Sequence, residues 1–375
     1  VLHKHRHESP MRSDLLAQQE RHGKCTQSGW RRAATSATAP NCTYVGSRHW
    51  RAPVAPDVPS LMVGSCAKGV RASLEEHSMA WLESLGSTFR EDAYAIFVYW
   101  DDDGDRDGTQ SALRGWARRN RQVHLVLAPP LRAPNWYRTQ RLALCRNVLL
   151  GEGLLRLPAH GTLAFYDLDC KVASTAPALA AARMLSQPHA PWSVLTANSP
   201  GAYYDQWALR SAELGLDYDC QFAKPAASRA GCKDVAILLD PQAAPFGVQS
   251  AFNGLAVYHV GALARHNATG CRFEGSRMSR ICEHVPFSLC LGRHGLRLGV
   301  LPQMVVNCGT PPLRGPFERA KVQARLFANS SVQLLEYRHR MPMYANPNGK
   351  AEAPRKGPKP PKPAPVEQWT RLATT

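Results

Sequence analysis

The sequence predicts an α/β fold, and three observations carry that expectation. Short apolar runs at Leu61–Ser65, Ala95–Trp100, Val123–Leu127 and Thr162–Tyr166 each have the length of a buried strand. A longer segment between the third and fourth runs has helical periodicity, and such alternation points to parallel strands joined by helical crossovers. The fourth run ends abruptly in Asp167-Leu168-Asp169, two carboxylates spaced i, i+2. In a strand this spacing puts both on one face, at the carboxyl end where open α/β sheets bind ligands.

The elements follow in order. Pro59-Ser60-Leu61-Met62-Val63-Gly64-Ser65-Cys66-Ala67-Lys68-Gly69 reads as a first strand entering a small-residue loop, which lets a nucleotide approach the backbone closely. Ala95–Trp100 gives a second strand that opens into Asp101-Asp102-Asp103-Gly104-Asp105-Arg106-Asp107-Gly108-Thr109. From Asp103 this loop matches the first half of an EF-hand, but the twelfth position is Arg114 where a bidentate Glu is needed. The expectation is instead a loop that caps the next helix and touches a nucleoside. Val123–Leu127 is a third strand before Pro129-Pro130.

Tyr137–Leu150 has a helical pattern with Leu142, Cys145, Leu149 and Leu150 on an apolar stripe. Arg138 and Arg141, i and i+3, share one face. That face reads either as solvated basic surface or as an anion site, since guanidinium groups take phosphate oxygens in bidentate fashion. Two hard oxygen donors at Asp167 and Asp169 can hold Mn²⁺ or Mg²⁺, although Asp-x-Asp also arises at solvated turns and helix caps. Asp205 is placed either as the cap of a helix containing Trp207 and Leu209 or at a substrate, and Tyr203, Tyr204 and Trp207 as core or pocket wall. Val285–Arg293 reads as a further helix. Gln303-Met304-Val305-Val306 reads as a strand ending in Asn307, after an apolar Leu296–Pro302 stretch.

Taken in order, these pieces resemble the fungal capsule mannosyltransferase family and its algal relatives, glycosyltransferases of GT-A type. The pieces are Gly64-Ser65-Cys66-Ala67, Asp107-Gly108-Thr109, Arg138-Thr139-x-Arg141-Leu142-Ala143-x-x-Arg146-Asn147 and Asp167-Leu168-Asp169. The similarity continues through Tyr203–Arg210, Ser250–Tyr258 and Cys282-Glu283-His284-Val285-Pro286-Phe287, from about Pro59 to Thr310. The resemblance implies a GT-A-like, Rossmann-type mixed sheet and a transfer of mannose from GDP-mannose, with UDP-sugars as the other donors, to a glycan or glycoprotein hydroxyl. It places Asp167 and Asp169 at metal and diphosphate, Arg138, Arg141 and Arg146 near the donor, and Asn147 behind them. Phe252-Asn253-Gly254 stands where the relatives carry Phe-Gly-Gly, so Asn253 and Gly254 fall at the sugar pocket with a changed shape. The third metal contact stays open between Asn307, His284 and water with phosphate.

The chemistry of such a transfer sets the remaining roles. Charge accumulates on the departing diphosphate, which a divalent cation and preorganised arginines stabilise. An inverting route also needs a carboxylate to take the acceptor proton, for which Glu283 is the candidate; its plainer role is a first-turn acid favoured by the helix dipole. His284 reads equally as a packed histidine and as a substrate contact.

Of the 375 residues, 1–55 are rich in His, Arg, Ser and Pro and read as a basic arm or stem, 56–345 as the catalytic domain, and 346–375 as a Pro/Lys-rich tail of polyproline character. A net charge of +17 and a pI near 9.7 raise nucleic-acid binding, but no helix-turn-helix, zinc finger or RNA-binding motif accompanies it, so a nucleic-acid partner is not expected. An inactive carbohydrate-binding scaffold of the same fold is the other alternative. Eleven cysteines without a Cys-x-x-Cys pair suggest disulfides in an oxidising lumen, with Cys220–Cys232 and Cys271–Cys282 as plausible local pairs. Sequons at Asn41, Asn267 and Asn329 agree with luminal glycosylation. With Val1 first and no apolar stretch of membrane length, the expectation is a Golgi or endoplasmic reticulum enzyme whose anchor lies outside this chain.

Overall fold

The computed structural model describes residues 43–46, 50–55, 58–101, 105–128, 137–187, 189–222, 232, 235–266, 268–276, 280–309, 322–326 and 332–337. The elements begin with β1 (Thr43–Val45) and β2 (Leu61–Ala67). Helix α1 follows as Arg71–Ser73, a π-helical turn Leu74–Ser78 and Met79–Gly86. Then come β3 (Tyr94–Asp101), α2 (Thr109–Arg119), β4 (Val123–Ala128), α3 (Arg138–Arg156), β5 (Thr162–Tyr166), β6 (Lys171–Val172), α4 (Ala176–Leu185) and β7 (Val194–Asn198). The remainder is β8 (Val235–Leu239), β9 (Phe246–Val248), β10 (Leu255–His259), α5 (Val260–Arg265), α6 (His284–Arg293), β11 (Leu298–Asn307), β12 (Val322–Leu326) and β13 (Val332–Tyr337).

The main sheet runs β1-β4-β3-β2-β5-β10-β7-β11-β6, with β9 also on β11. Strands β4, β3, β2 and β5 are mutually parallel, whereas β10 is antiparallel to both its neighbours. The sheet is therefore mixed, as expected. From β2 the chain lays β3 and β4 to one side, then crosses back along α3 to place β5 on the other. The strand order reverses between β2 and β5, which is where a crevice opens at the carboxyl ends of parallel strands. Asp167 is the first residue past β5.

Alternation along the strands builds two cores. On β2 and β3, Met62, Phe97 and Tyr99 join α3 residues such as Leu149 on one face. Val63, Ile96, Val98 and Trp100 join Trp81, Leu113 and Trp116 on the other. On the α3 face Cys66 of β2 is disulfide-bonded to Cys145, fixing the crossover helix to the central strand. Strands β12, β13 and β8 form a separate three-stranded sheet.

Three expectations change. The two apolar segments at 296–306 form one strand, β11, whose register against β7 shifts between Val300 and Val305; Pro302 sits in that irregular stretch, where its missing N–H breaks no ladder. Cys271 pairs with Cys290, not Cys282, because Cys290 lies along α6 whereas Cys282 precedes that helix and is buried as a free thiol. The expected Cys220–Cys232 pair is present. Ordered contacts also start inside the expected arm: β1 pairs with β4, and the Trp50 carbonyl accepts Arg156 Nη1 at 2.9 Å. Residues 1–42, the 346–375 tail and the three sequon asparagines lie outside the described residues.

The Cys66–Cys145 bridge closes a loop of 79 positions. Replacing both cysteines by Ala should cost about 4.5 kcal/mol of unfolding free energy by the loop-entropy relation, read as a lowered urea midpoint under non-reducing conditions.

Candidate functional site

Beyond Tyr166 the chain leaves the sheet in a turn, in which Cys170 N donates to Asp167 O at 3.0 Å. Asp167 and Asp169 thus converge through a turn and not through strand alternation, and they differ in exposure. The Asp167 side chain is 32% exposed, whereas Asp169 is open to solvent. One oxygen from each and Cys170 Sγ lie within 4.8 Å of one another. Cys170 is disulfide-bonded to Cys308, so the sulfur is no thiolate and the hard donors are the two carboxylates. The same bridge brings the end of β11, and with it Asn307, to the turn. Asn307 is exposed, and its Oδ1 accepts Gly309 N at 3.0 Å.

Arg146, midway along α3 and 3% exposed, is held from two sides. Its Nη2 donates to Asp167 Oδ1 at 3.0 Å and its Nη1 to Glu283 Oε1, while its guanidinium carbon stands 4.9 Å from the Phe252 ring centroid. Glu283, directly before α6, is equally buried. A guanidinium in this position is affordable only with paired carboxylates. His284 stacks on Phe252 with centroids 3.8 Å apart and meets Phe273 edge-on. Burial, and then the Arg146 charge, hold its imidazole well below its usual pKa, so it is a neutral packed ring.

Asp205 stands close enough to Glu283 and Arg146 to feel both charges. It caps a turn, not a helix, with Oδ1 accepting Ala208 N at 3.2 Å. Burial first and the Glu283 charge second push its carboxyl up to about 6. For Asp167, burial pushes the carboxyl up to about 7 against the opposing pull of Arg146, with Asp169 and Glu283 adding to the rise. Negative charge is in excess here: Asp167, Asp169, Asp205 and Glu283 share one buried arginine. That imbalance suits a cationic ligand.

Asn253 and Gly254 connect the two halves of the site. Both have positive φ, 57° and 80°, a region that Asn tolerates best among non-glycine residues. Asn253 Oδ1 accepts Ser199 Oγ at 3.0 Å and the Tyr204 and Asp205 amides at 3.2 Å. Gly254 O accepts Asp167 N at 2.9 Å, and a Cβ on Gly254 would stand 2.3 Å from Cys308 Sγ and 2.7 Å from Cys170 Sγ. These residues hold the Asp167 and Asp205 turns in place.

The other expected positions fall around this centre. Arg138 opens α3 and is exposed, and its charge acts on Asp205 and His284; Arg141 is half-buried. Asn147 pairs with Phe273 through Nδ2 to O at 2.8 Å and accepts its N–H at 2.9 Å. Tyr203 is core, whereas Tyr204 is 43% exposed. In the acidic loop, Asp105 accepts the Gln110 and Ser111 amides and Asp107 that of Thr109, so the expected capping of the next helix is present. The hydroxyls of Ser78 and Tyr166 also reach the turn, and the sequence carries no signal for them. A second cluster, Cys271, Cys290 and His294, is no metal centre because its cysteines are bonded to each other.

No protein-family model matches the chain, and no curated protein matches it. Among solved structures it is similar to a mannosyltransferase from Pyrobaculum calidifontis in complex with GDP-Man and Mn²⁺, at 16% identity and a TM-score of 0.39, over 79% of this chain and 67% of that one. It is also similar to GalNAc-T7 with UDP, GalNAc and Mn²⁺, at 13% identity and a TM-score of 0.36, over 67% of this chain and 44% of that one.

Replacing Arg146 by Met should strand Glu283 as an unpaired buried carboxylate and cost about 3–5 kcal/mol in chemical denaturation. The Arg146→Met/Glu283→Leu double variant should recover most of that loss, which separates the pair's own worth from the penalty of breaking it.

Proposed function

We propose that this chain is a divalent-cation-dependent glycosyltransferase that moves a hexose from a nucleotide sugar to a hydroxyl of a glycan or glycoprotein. The observation that carries the reading is the Asp167–Asp169 turn at the sheet's switch point, with an excess of carboxylate set around one buried arginine. Asp167 and Asp169 would hold Mn²⁺ or Mg²⁺, with Asn307 as the adjacent neutral oxygen donor. When bound, the cation neutralises charge on the departing diphosphate. Arg138 and Arg141, on the first turn of α3, offer guanidinium groups and a helix N-terminus to the same phosphates.

Glu283 is buried and engaged by Arg146, which favours a positioning role over the proton-accepting one. Asp205 is less buried than Glu283, and burial with the Glu283 charge raises its carboxyl, which suits it to hydrogen-bond an acceptor hydroxyl. GDP-mannose as donor rests on the motif resemblance alone. Disulfides at Cys66–Cys145, Cys170–Cys308, Cys220–Cys232 and Cys271–Cys290 support an oxidising lumen, Golgi or endoplasmic reticulum. Among the described residues no helix is long and apolar enough to cross a membrane.

The reading is tested by thermal shift with GDP-mannose, UDP-galactose, UDP-glucose and UDP-xylose, with and without Mn²⁺, on wild type and Asp169→Ala. A stabilisation specific to one donor, dependent on Mn²⁺ and absent in the variant, is expected, because only a ligand preferring the folded state raises apparent stability. No shift at millimolar donor would favour the inactive carbohydrate-binding scaffold.

The Asp167 carboxyl adds a pH dependence. In the cation-free protein, burial raises it to about 7 against the pull of Arg146, so below that pH a cation competes increasingly with a proton. Mn²⁺ affinity should therefore fall on going from pH 8 to pH 6, approaching roughly tenfold per unit below 7. Without cation the sign reverses for folding: a carboxyl that binds its proton more tightly folded than unfolded loses stability as pH rises from about 4 to about 7. Calorimetry in buffers of different ionisation enthalpy would register the released proton, and an affinity flat from pH 6 to 8 would refute the coupling.

A further inference from the structure

Helix α1 contains a π-helical turn, Leu74–Ser78, of a kind that is rare and recurs at functional sites. Its last residue, Ser78, is fully buried, and its hydroxyl donates to Leu168 O, the peptide between the two carboxylates, at 2.8 Å. Ser78 Oγ also lies 3.1 Å from Tyr166 Oη, and Tyr166 donates in turn to Cys170 O. Each hydroxyl has one proton, and this arrangement serves both carbonyls of the turn. Trp81, three residues along α1, packs on Tyr166 with ring centroids 4.8 Å apart.

The turn is thus pinned on every side but one. Asp167 N is tied to Gly254 O, Cys170 N to Asp167 O, and Cys170 Sγ to Cys308, while the Leu168 side chain is buried in the core. Asp169 is the most exposed side chain of the turn, and it sits between two carbonyls held by Ser78 and Tyr166. We propose that the Ser78–Tyr166 hydroxyl pair is a positioning device that fixes Asp169 for a divalent cation and so sets the affinity of that site. This rests on the reading of Asp167 and Asp169 as cation ligands. Preorganisation is the cause: an exposed carboxylate on a mobile turn must be ordered when the cation arrives, whereas one on a fixed backbone is already placed. The π-helical turn supplies the register that brings Ser78, rather than a residue one position away, against Leu168 O.

The test is Mn²⁺ titration of the full chain by calorimetry for wild type, Ser78→Ala, Tyr166→Phe and Thr162→Val, alongside thermal unfolding of each without cation. Thr162 is the control because it begins the same strand, is buried, and donates its hydroxyl to Ser60 O at 3.1 Å, away from the turn. Ser78→Ala and Tyr166→Phe should each weaken Mn²⁺ binding about threefold to tenfold, the scale of one lost hydrogen bond. Thr162→Val should lower the melting temperature comparably and leave Mn²⁺ affinity unchanged. Affinities of Ser78→Ala and Tyr166→Phe within twofold of wild type would overturn the inference, as would an equal loss in Thr162→Val. Wild type that binds no Mn²⁺ would instead overturn the proposed function.

Discussion

The buried guanidinium of Arg146 is the constraint on which the rest of the site depends. Crossover helix α3 brings a permanent charge into the core, and that charge is tolerated only because two carboxylates from distant parts of the chain meet it. Asp167 comes from the end of β5, 21 positions on, and Glu283 from the start of α6, 137 positions on. One side chain therefore fixes how α3, β5 and α6 sit relative to one another. Such an ion pair adds little net stability, since desolvation offsets its attraction, but misplacing any of the three elements would leave a charge alone in the core. Its contribution is to register more than to stability.

Pinning Arg146 also determines what the site can bind. The guanidinium is committed to Asp167 and Glu283, so the remaining negative charge on Asp169 and Asp205 has no buried partner to neutralise it. Burial first, and the neighbouring carboxylates after it, raise the carboxyls of Asp167 and Asp205. Asn253 and Gly254 then prevent the turns from relaxing apart: the first holds the Tyr204 and Asp205 amides, the second holds Asp167 N. A methyl group at Gly254 would collide with both sulfurs of the Cys170–Cys308 bridge. The left-handed backbone at Asn253 is tolerated because an amide side chain accepts that conformation and bonds back to the adjacent loop.

The positions of the central strands along the chain were legible because each is an unbroken apolar run, and the carboxyl-terminal location of Asp167 followed from where its run stops. Arg146 was legible as a residue but not as a buried one, since a single helix shows which positions are apolar and not which basic side chain turns inward. What escaped the sequence depends on contacts between distant positions. Ser78 and Leu168 are 90 positions apart, and no local pattern marks a serine that will meet a carbonyl there. The Cys271 pairing failed for a related reason: proximity in sequence favoured Cys282, but the helix that starts at His284 carries Cys290 to the partner. Strand β11 was read as two pieces because Pro302 resembles a terminator, whereas a register shift accommodates it.

The site consequently divides into two layers with different freedoms. The inner layer, Arg146, Glu283, His284, Asn253 and the two hydroxyls, is buried and mutually satisfied or packed, so most changes there act through folding or through the position of Asp169. The outer layer, Asp169, Arg138, Tyr204 and Asn307, is exposed and makes few bonds within the protein. On the proposed glycosyltransferase reading, a substitution in the outer layer can alter which nucleotide or sugar fits without disturbing Arg146 and its partners. Donor identity would then be the property least constrained by the architecture and cation attraction at the end of β5 the most constrained, because Asp167 also carries the ion pair that ties α3 to β5.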